Sequence, residues 1–126
     1  MRKILLDYYM PFRNLFKFEE DMERFQDWYA FKQQWYTDKP TLVILPLAVF
    51  PLVGLDIRYQ FREFGRNNNT RFLLIGTIKQ IEFALSQNDK FVQNIIEQIV
   101  LPMDFDVLEI AVLKKIKILE KQIKGK

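Results

Sequence analysis

Residues 42–55 read LVILPLAVFPLVGL, an unbroken apolar run, and the solvent this run faces decides the fold. A membrane-spanning helix needs about 20 apolar residues, whereas a run of roughly 10–14 reads more often as a buried or re-entrant segment. As a helix, residues 41–57 would extend roughly 25 Å, a little short of a hydrocarbon core of about 30 Å. Pro46 and Pro51 interrupt the run. Each would cost a soluble helix about 3 kcal/mol, and each would delete a ladder donor in a central strand. Transmembrane helices tolerate proline better, because neighbouring helices re-satisfy the freed carbonyls.

The flanks sharpen the choice. Trp35, Tyr36 and Lys39 precede the run, and Arg58, Tyr59, Phe61, Arg62 and Phe64 follow it. Aromatic and basic residues at both ends form the belt expected where a span meets water, and Arg58 and Arg62 can snorkel outward. Asp56 at the boundary needs an arginine or water for company. The expectation is a mostly α chain with one short Pro-containing apolar helix, a candidate membrane span over 41–57. An N-terminal acidic, aromatic helical segment (1–40) precedes it. A basic stretch and a three-helix C-terminal half (58–126) follow. The alternative is a soluble α-helical interaction protein, such as a phage or bacterial inhibitor or a ribosome- or nucleic-acid-associated factor, with residues 42–55 as its core.

Periodicity supplies the other elements. Residues 2–9 read as a short amphipathic turn. Phe18, Met22, Phe25 and Tyr29 recur at helical spacing and predict a helix over 18–36. Thr70 as N-cap, with Leu74, Ile78, Ile81 and Leu85 in one stripe, predicts a helix over 71–86. Phe91, Ile95 and Ile99 predict a helix over 89–101, closed by Pro102. Asp106 with Glu109 fits a capping box, and the stripe Leu108, Val112, Ile116, Leu119, Ile123 predicts a last helix over 107–124.

Composition narrows the chemistry. The 126 residues fit one domain. The absence of Cys excludes disulfides, thiol catalysis and Cys-based zinc sites. The absence of His removes the commonest general acid–base and metal ligand. No phosphate-binding Gly-rich loop, dinucleotide fingerprint or nucleophile elbow is present. The expectation is therefore a non-enzyme with no catalytic residue, no metal and no cofactor. Glu19, Glu20, Asp21 and Glu23 read as a dipole-favoured helix start, and Asp104 and Asp106 as helix capping.

The best functional candidates are Arg58, Arg62, Arg66 and Arg71, with Tyr59, Phe61 and Phe64 interleaved. Such a series can contact phosphates and stack bases, or bind anionic lipid head groups. Other protein subunits are the expected partners, ahead of anionic lipid and then nucleic acid, with no small-molecule substrate. In general layout the chain resembles the small single-span accessory subunits of respiratory membrane complexes, without a shared motif. That resemblance implies a non-catalytic accessory subunit of a multi-subunit membrane complex, in an energy-transducing inner membrane such as the mitochondrial one. The soluble alternative would place the chain in the cytoplasm.

Overall fold

Five strands make one parallel sheet: β1 (Arg2–Leu6), β2 (Met22–Phe25), β3 (Thr41–Pro46), β4 (Thr70–Gly76) and β5 (Ile95–Val100). Their order across the sheet is β2-β1-β3-β4-β5. The computed structural model describes residues 2–7, 16, 21–26, 30, 31, 33, 41–48, 61, 62, 64–66 and 69–124. Residues 49–60, and with them Pro51, Asp56, Arg58 and Tyr59, lie outside the described residues. So do Trp35, Tyr36, Lys39, Glu19, Glu20, Phe18 and Tyr29.

The opening of the apolar run is the central strand, not a helix. Lys3, Ile4 and Leu5 of β1 pair with Leu42, Val43 and Ile44 on one side. Arg71, Phe72 and Leu73 of β4 pair with the same three on the other. Every residue of β3 is buried. A parallel strand covered on both faces reads as a continuous apolar run, because neither side-chain orientation meets water. Its composition is therefore that of a short span, and the belt argument mistakes one for the other. Pro46 stands at the carboxyl end of β3, where the chain leaves the ladder in a tight 3₁₀ turn at Leu47 and Ala48. A lost donor there weakens only the last rung.

The expected mostly α architecture is thus corrected to α/β. The predicted 71–86 helix divides: Thr70–Gly76 is β4, and only α1 (Ile78–Leu85) is helical. The cap is Thr77, seven residues later than expected. Its hydroxyl accepts from Gln80 N–H at 3.2 Å while its own N–H donates to Gln80 Oε1 at 3.0 Å. The predicted 89–101 helix also divides, into α2 (Asp89–Gln93) and β5. Ile95 and Ile99 stand four apart, as on one face of a helix, but the register shift between Phe72 and Leu73 sends them to opposite faces of the sheet. Residues 2–6 are a strand, and Met22–Phe25 lies in β2 where a helix is expected. The last helix, α3 (Phe105–Lys124), forms as expected, starting two residues early.

Alternation along the strands builds two cores. Ile4, Leu6, Val43, Leu45, Phe72 and Leu74 face one way and pack with Phe31, Phe61, Phe64, Phe91 and α1. Leu5, Leu42, Ile44, Leu73 and Ile75 face the other and pack with Phe16 and the Leu108, Val112, Ile116 stripe of α3. Phe rings tie the first core together, with centroids 4.8 Å apart for Phe72–Phe91 and 5.0 Å for Phe61–Phe91.

Ion pairs hold the amino end of β1. Arg2 grips Glu23 through two donors. Buried Lys3 reaches Asp21 at 2.9 Å and Glu120 at 3.2 Å, joining β1 to the approach to β2 and to α3. Burial alone would lower the Lys3 pKa, but hydrogen bonds to Asp21 and Glu120 outweigh it and hold the ammonium above its ordinary value. The Lys3 hydrogen bond holds Asp21 below the usual carboxylate value. The acidic residues described here are therefore strand ties, not a helix start.

Candidate functional site

A doubly wound parallel sheet opens a crevice at its carboxyl edge, where successive connections leave to opposite faces. Here that point falls between β1 and β3. The connection after β1 carries Phe16 into the core on one face, and the connection after β3 carries Phe61 and Phe64 into the core on the other.

Asp7 follows β1 at this point. It is 2% exposed. Its N–H donates to the Phe25 carbonyl at 2.8 Å, and its Oδ2 accepts from Arg24 Nη1 at 3.2 Å. Its Oδ1 is buried and has no hydrogen-bond partner among the described residues. Among the described residues, the last positions of β3, β4 and β5 bring no second acid. β3 ends on Pro46, β4 on Gly76 followed by Thr77, and β5 runs into the cis Leu101–Pro102 bond. The Thr77 hydroxyl is committed to capping α1. The Gly76 carbonyl accepts from Leu101 N–H at 2.8 Å. A Cβ at Gly76 would meet Gln80 Oε1 at 2.9 Å and Leu47 Cδ1 at 3.0 Å, so only glycine lets these three elements close together.

Among the described residues the switch point between β1 and β3 therefore holds one carboxylate, Asp7, already neighboured by Arg24, while Asp104 and Asp106 follow β5 at the start of α3. Among the described residues no group of three or more metal-ligating side chains occurs. A hard-cation site draws on several convergent oxygens, and the described residues of the switch point supply one side chain. What the described edge does offer is apolar surface. Val100 (43% exposed), Met103 (37%), Val107 (52%) and Ile110 (67%) run from the end of β5 through the first turns of α3.

The arginine series is placed differently from its sequence spacing. Arg62 and Arg66 come together and, with Gly65, Asn88, Asp89 and Lys90, line an open depression of about 350 Å³. It lies before the starts of β4 and β5, toward the amino edge of the sheet. Arg71 stands apart on β4, donating to the Thr70 carbonyl at 3.1 Å and to Asn94 Oδ1 at 3.3 Å. Arg58 lies outside the described residues. Phe61 and Phe64, expected to stack bases, are 1% and 0% exposed and belong to the core. Sequence reasoning passes over Asp7 and Thr77. The available signal was a lone polar residue directly after each apolar strand, ILL before Asp7 and FLLIG before Thr77.

No family model matches the chain, and no curated protein matches it either. Among solved structures it is similar to a response regulator from Colwellia psychrerythraea, with a TM-score of 0.60 and 20% sequence identity over 90% of this chain and 94% of that one. At this identity the likeness shows the fold, a flavodoxin-like α/β sheet, and not the activity. It overturns the expected accessory subunit of a respiratory membrane complex, and the α-helical inhibitor or ribosome-associated factor as well. Neither reading contains a five-stranded parallel sheet. Among the described residues no helix is long and apolar enough to cross a membrane, so the single-span and inner-membrane expectations fall with them.

Proposed function

We propose that this chain is a non-catalytic regulatory domain that acts by binding another protein. The observation that carries the reading is the exposed apolar row Val100, Met103, Val107 and Ile110, beside a carboxyl edge whose described polar groups serve the fold. Asp7 is neighboured by Arg24, Thr77 caps α1, and Pro46 brings neither charge nor donor to the end of β3. Isolated exposed apolar residues are ordinary, but four of them within residues 100–110 suit a protein contact. The response regulator that shares the fold supports a regulatory role. The absence of His and Cys supports a role without chemistry.

Site-specific photocrosslinking in cells making the full chain tests this. A photoreactive residue at Ile110 should give one discrete protein adduct, and the same residue at Lys79 on α1 should not. Val107→Lys should abolish the adduct, whereas Asp7→Asn, if still folded by circular dichroism, should retain it. Equal labelling from both positions would refute the contact surface. Loss of the adduct in folded Asp7→Asn would refute the purely structural role of the carboxyl edge.

A further inference from the structure

We propose that the depression lined by Arg62, Gly65, Arg66, Asn88, Asp89 and Lys90 binds the phosphate of a small, hydroxyl-bearing phosphate monoester. Its construction is the reason. Arg62 lies between Phe61 and Phe64, both buried, so the two rings pin the backbone while the guanidinium stays exposed. Lys90 precedes Phe91, also buried. The Phe61–Phe91 contact at 5.0 Å fixes the two cation-bearing segments against each other. Fixing cations in advance lowers the ordering cost that a ligand would otherwise meet.

The floor is built as closely. A Cβ at Gly65 would meet Asn88 Oδ1 at 2.6 Å and Lys90 Cβ at 3.2 Å, so glycine there lets the two segments touch. Asn88 Oδ1 is held in turn by Phe91 N–H at 3.1 Å. Arg62 and Lys90 make no ion pair or hydrogen bond among the described residues, so neither charge is spent inside the fold. Guanidinium and ammonium donors suit phosphate oxygens. A volume of about 350 Å³ falls at the small end of ligand clefts, which run from about 300 to 1,000 Å³. It exceeds what a bare phosphate fills. Asp89 on the wall repels anions but accepts from hydroxyls, which favours an ester carrying them over inorganic phosphate. Burial of Phe61 and Phe64 removes the stacking platform that a single-stranded nucleic acid would use.

The test uses the full chain, read by amide chemical shifts at fixed ionic strength, with ribose 5-phosphate, inorganic phosphate and ribose as probes. Ribose 5-phosphate should give saturable shifts centred on residues 62–66 and 88–91, phosphate weaker ones, and ribose none. The Arg62→Gln/Lys90→Gln variant removes two exposed charges that have no ion-pair partner among the described residues and should keep its fold while weakening binding by about tenfold or more. Asp89→Asn should narrow the preference for ribose 5-phosphate over phosphate. Shifts that fail to saturate, that survive in the double variant, or that chloride reproduces would overturn the proposal. So would binding to phosphatidic acid–phosphatidylcholine vesicles that ribose 5-phosphate cannot compete away, since the phosphate would then be a lipid head group.

Discussion

Ile44 and Leu45 are neighbours in the chain, yet they belong to different cores, and this makes the central-strand assignment directly testable. Ile44 packs with Leu42, Leu73 and Leu108 on the α3 face, whereas Leu45 packs with Val43, Phe31 and Phe64 on the other. Both are fully buried. Leu45→Ala deletes three carbons, worth about 2.4 kcal/mol in transfer free energy at roughly 0.8 kcal/mol each. The flanking strands cannot collapse into the gap, so a cavity term raises the expected cost to about 3–4 kcal/mol. Ile44→Val should cost about 1 kcal/mol. Because the two side chains belong to separate core clusters among the described residues, the double variant should lose close to the sum, apart from coupling through their shared backbone. Urea denaturation followed by circular dichroism measures all three, with an unchanged denaturant slope as the check on two-state behaviour. A one-sided strand or an amphipathic helix would leave one of the two residues partly wet. A Leu45→Ala cost below about 1 kcal/mol, no cost for Ile44→Val, or strong coupling between them would refute the two-faced strand.

Two further outcomes follow from the charged groups. Arg24→Met strands the buried Asp7 carboxylate and should cost about 2–3 kcal/mol by urea denaturation at neutral pH, discounted from the fully buried case because Arg24 is partly exposed. Adding Asp7→Asn should recover part of that loss, and a cost for Arg24→Met below about 0.5 kcal/mol would show the pair to be incidental. The Lys3–Asp21 tie gives a signed pH dependence. Asp21 is lowered on folding, so its contribution is present above 3.8 and fades as pH falls through the folded value. Lys3 is raised, so its contribution is present below 10.5 and fades as pH rises through its folded value. The melting-temperature difference between wild type and Lys3→Met should be flat between those limits and shrink beyond both. A difference that stays constant across the whole range would contradict the tie.

Much of the fold was visible in the sequence but carried the wrong label. Of the apolar stripe positions, Leu74, Ile81, Phe91, Ile99, Leu108, Val112 and Ile116 are core, whereas Ile78 is 61% exposed. The period was the error. A parallel strand buried on both faces has no alternation to detect, so LVILP and FLLIG looked like pieces of helix or span. Thr70, followed by Arg71 and an apolar run, and Thr77, followed by Ile78, both look like N-caps. Only Thr77 is followed three residues later by a glutamine that completes the box, Gln80. That distinction was available from sequence and separates β4 from α1. The candidate site was less legible, because Asp7 and Arg24 are far apart in the chain and meet only through β1–β2 pairing. Lys90 meets Arg62 and Arg66 only in the fold, through the Phe61–Phe91 and Phe64–Phe91 contacts and the close approach at Gly65.

The blocks of charge along the chain take on distinct roles once the strands are aligned. Near the sheet's core, charge is neutralised in place: Arg2 by Glu23, Lys3 by Asp21 and Glu120, Asp7 by Arg24. Each of these pairs joins two elements that must meet for the sheet to form, and an unpaired charge at such depth would be expensive. Arg62 and Lys90 do not follow this pattern. Aromatic packing locates them, water covers them, and neither has an ion-pair partner among the described residues. Two like charges that line one depression, beside the single carboxylate of Asp89, bring no packing to the fold. Placement that the fold does not need is best explained by a ligand that does, which is why the depression, rather than the buried carboxylate at the switch point, is where a bound anion is expected.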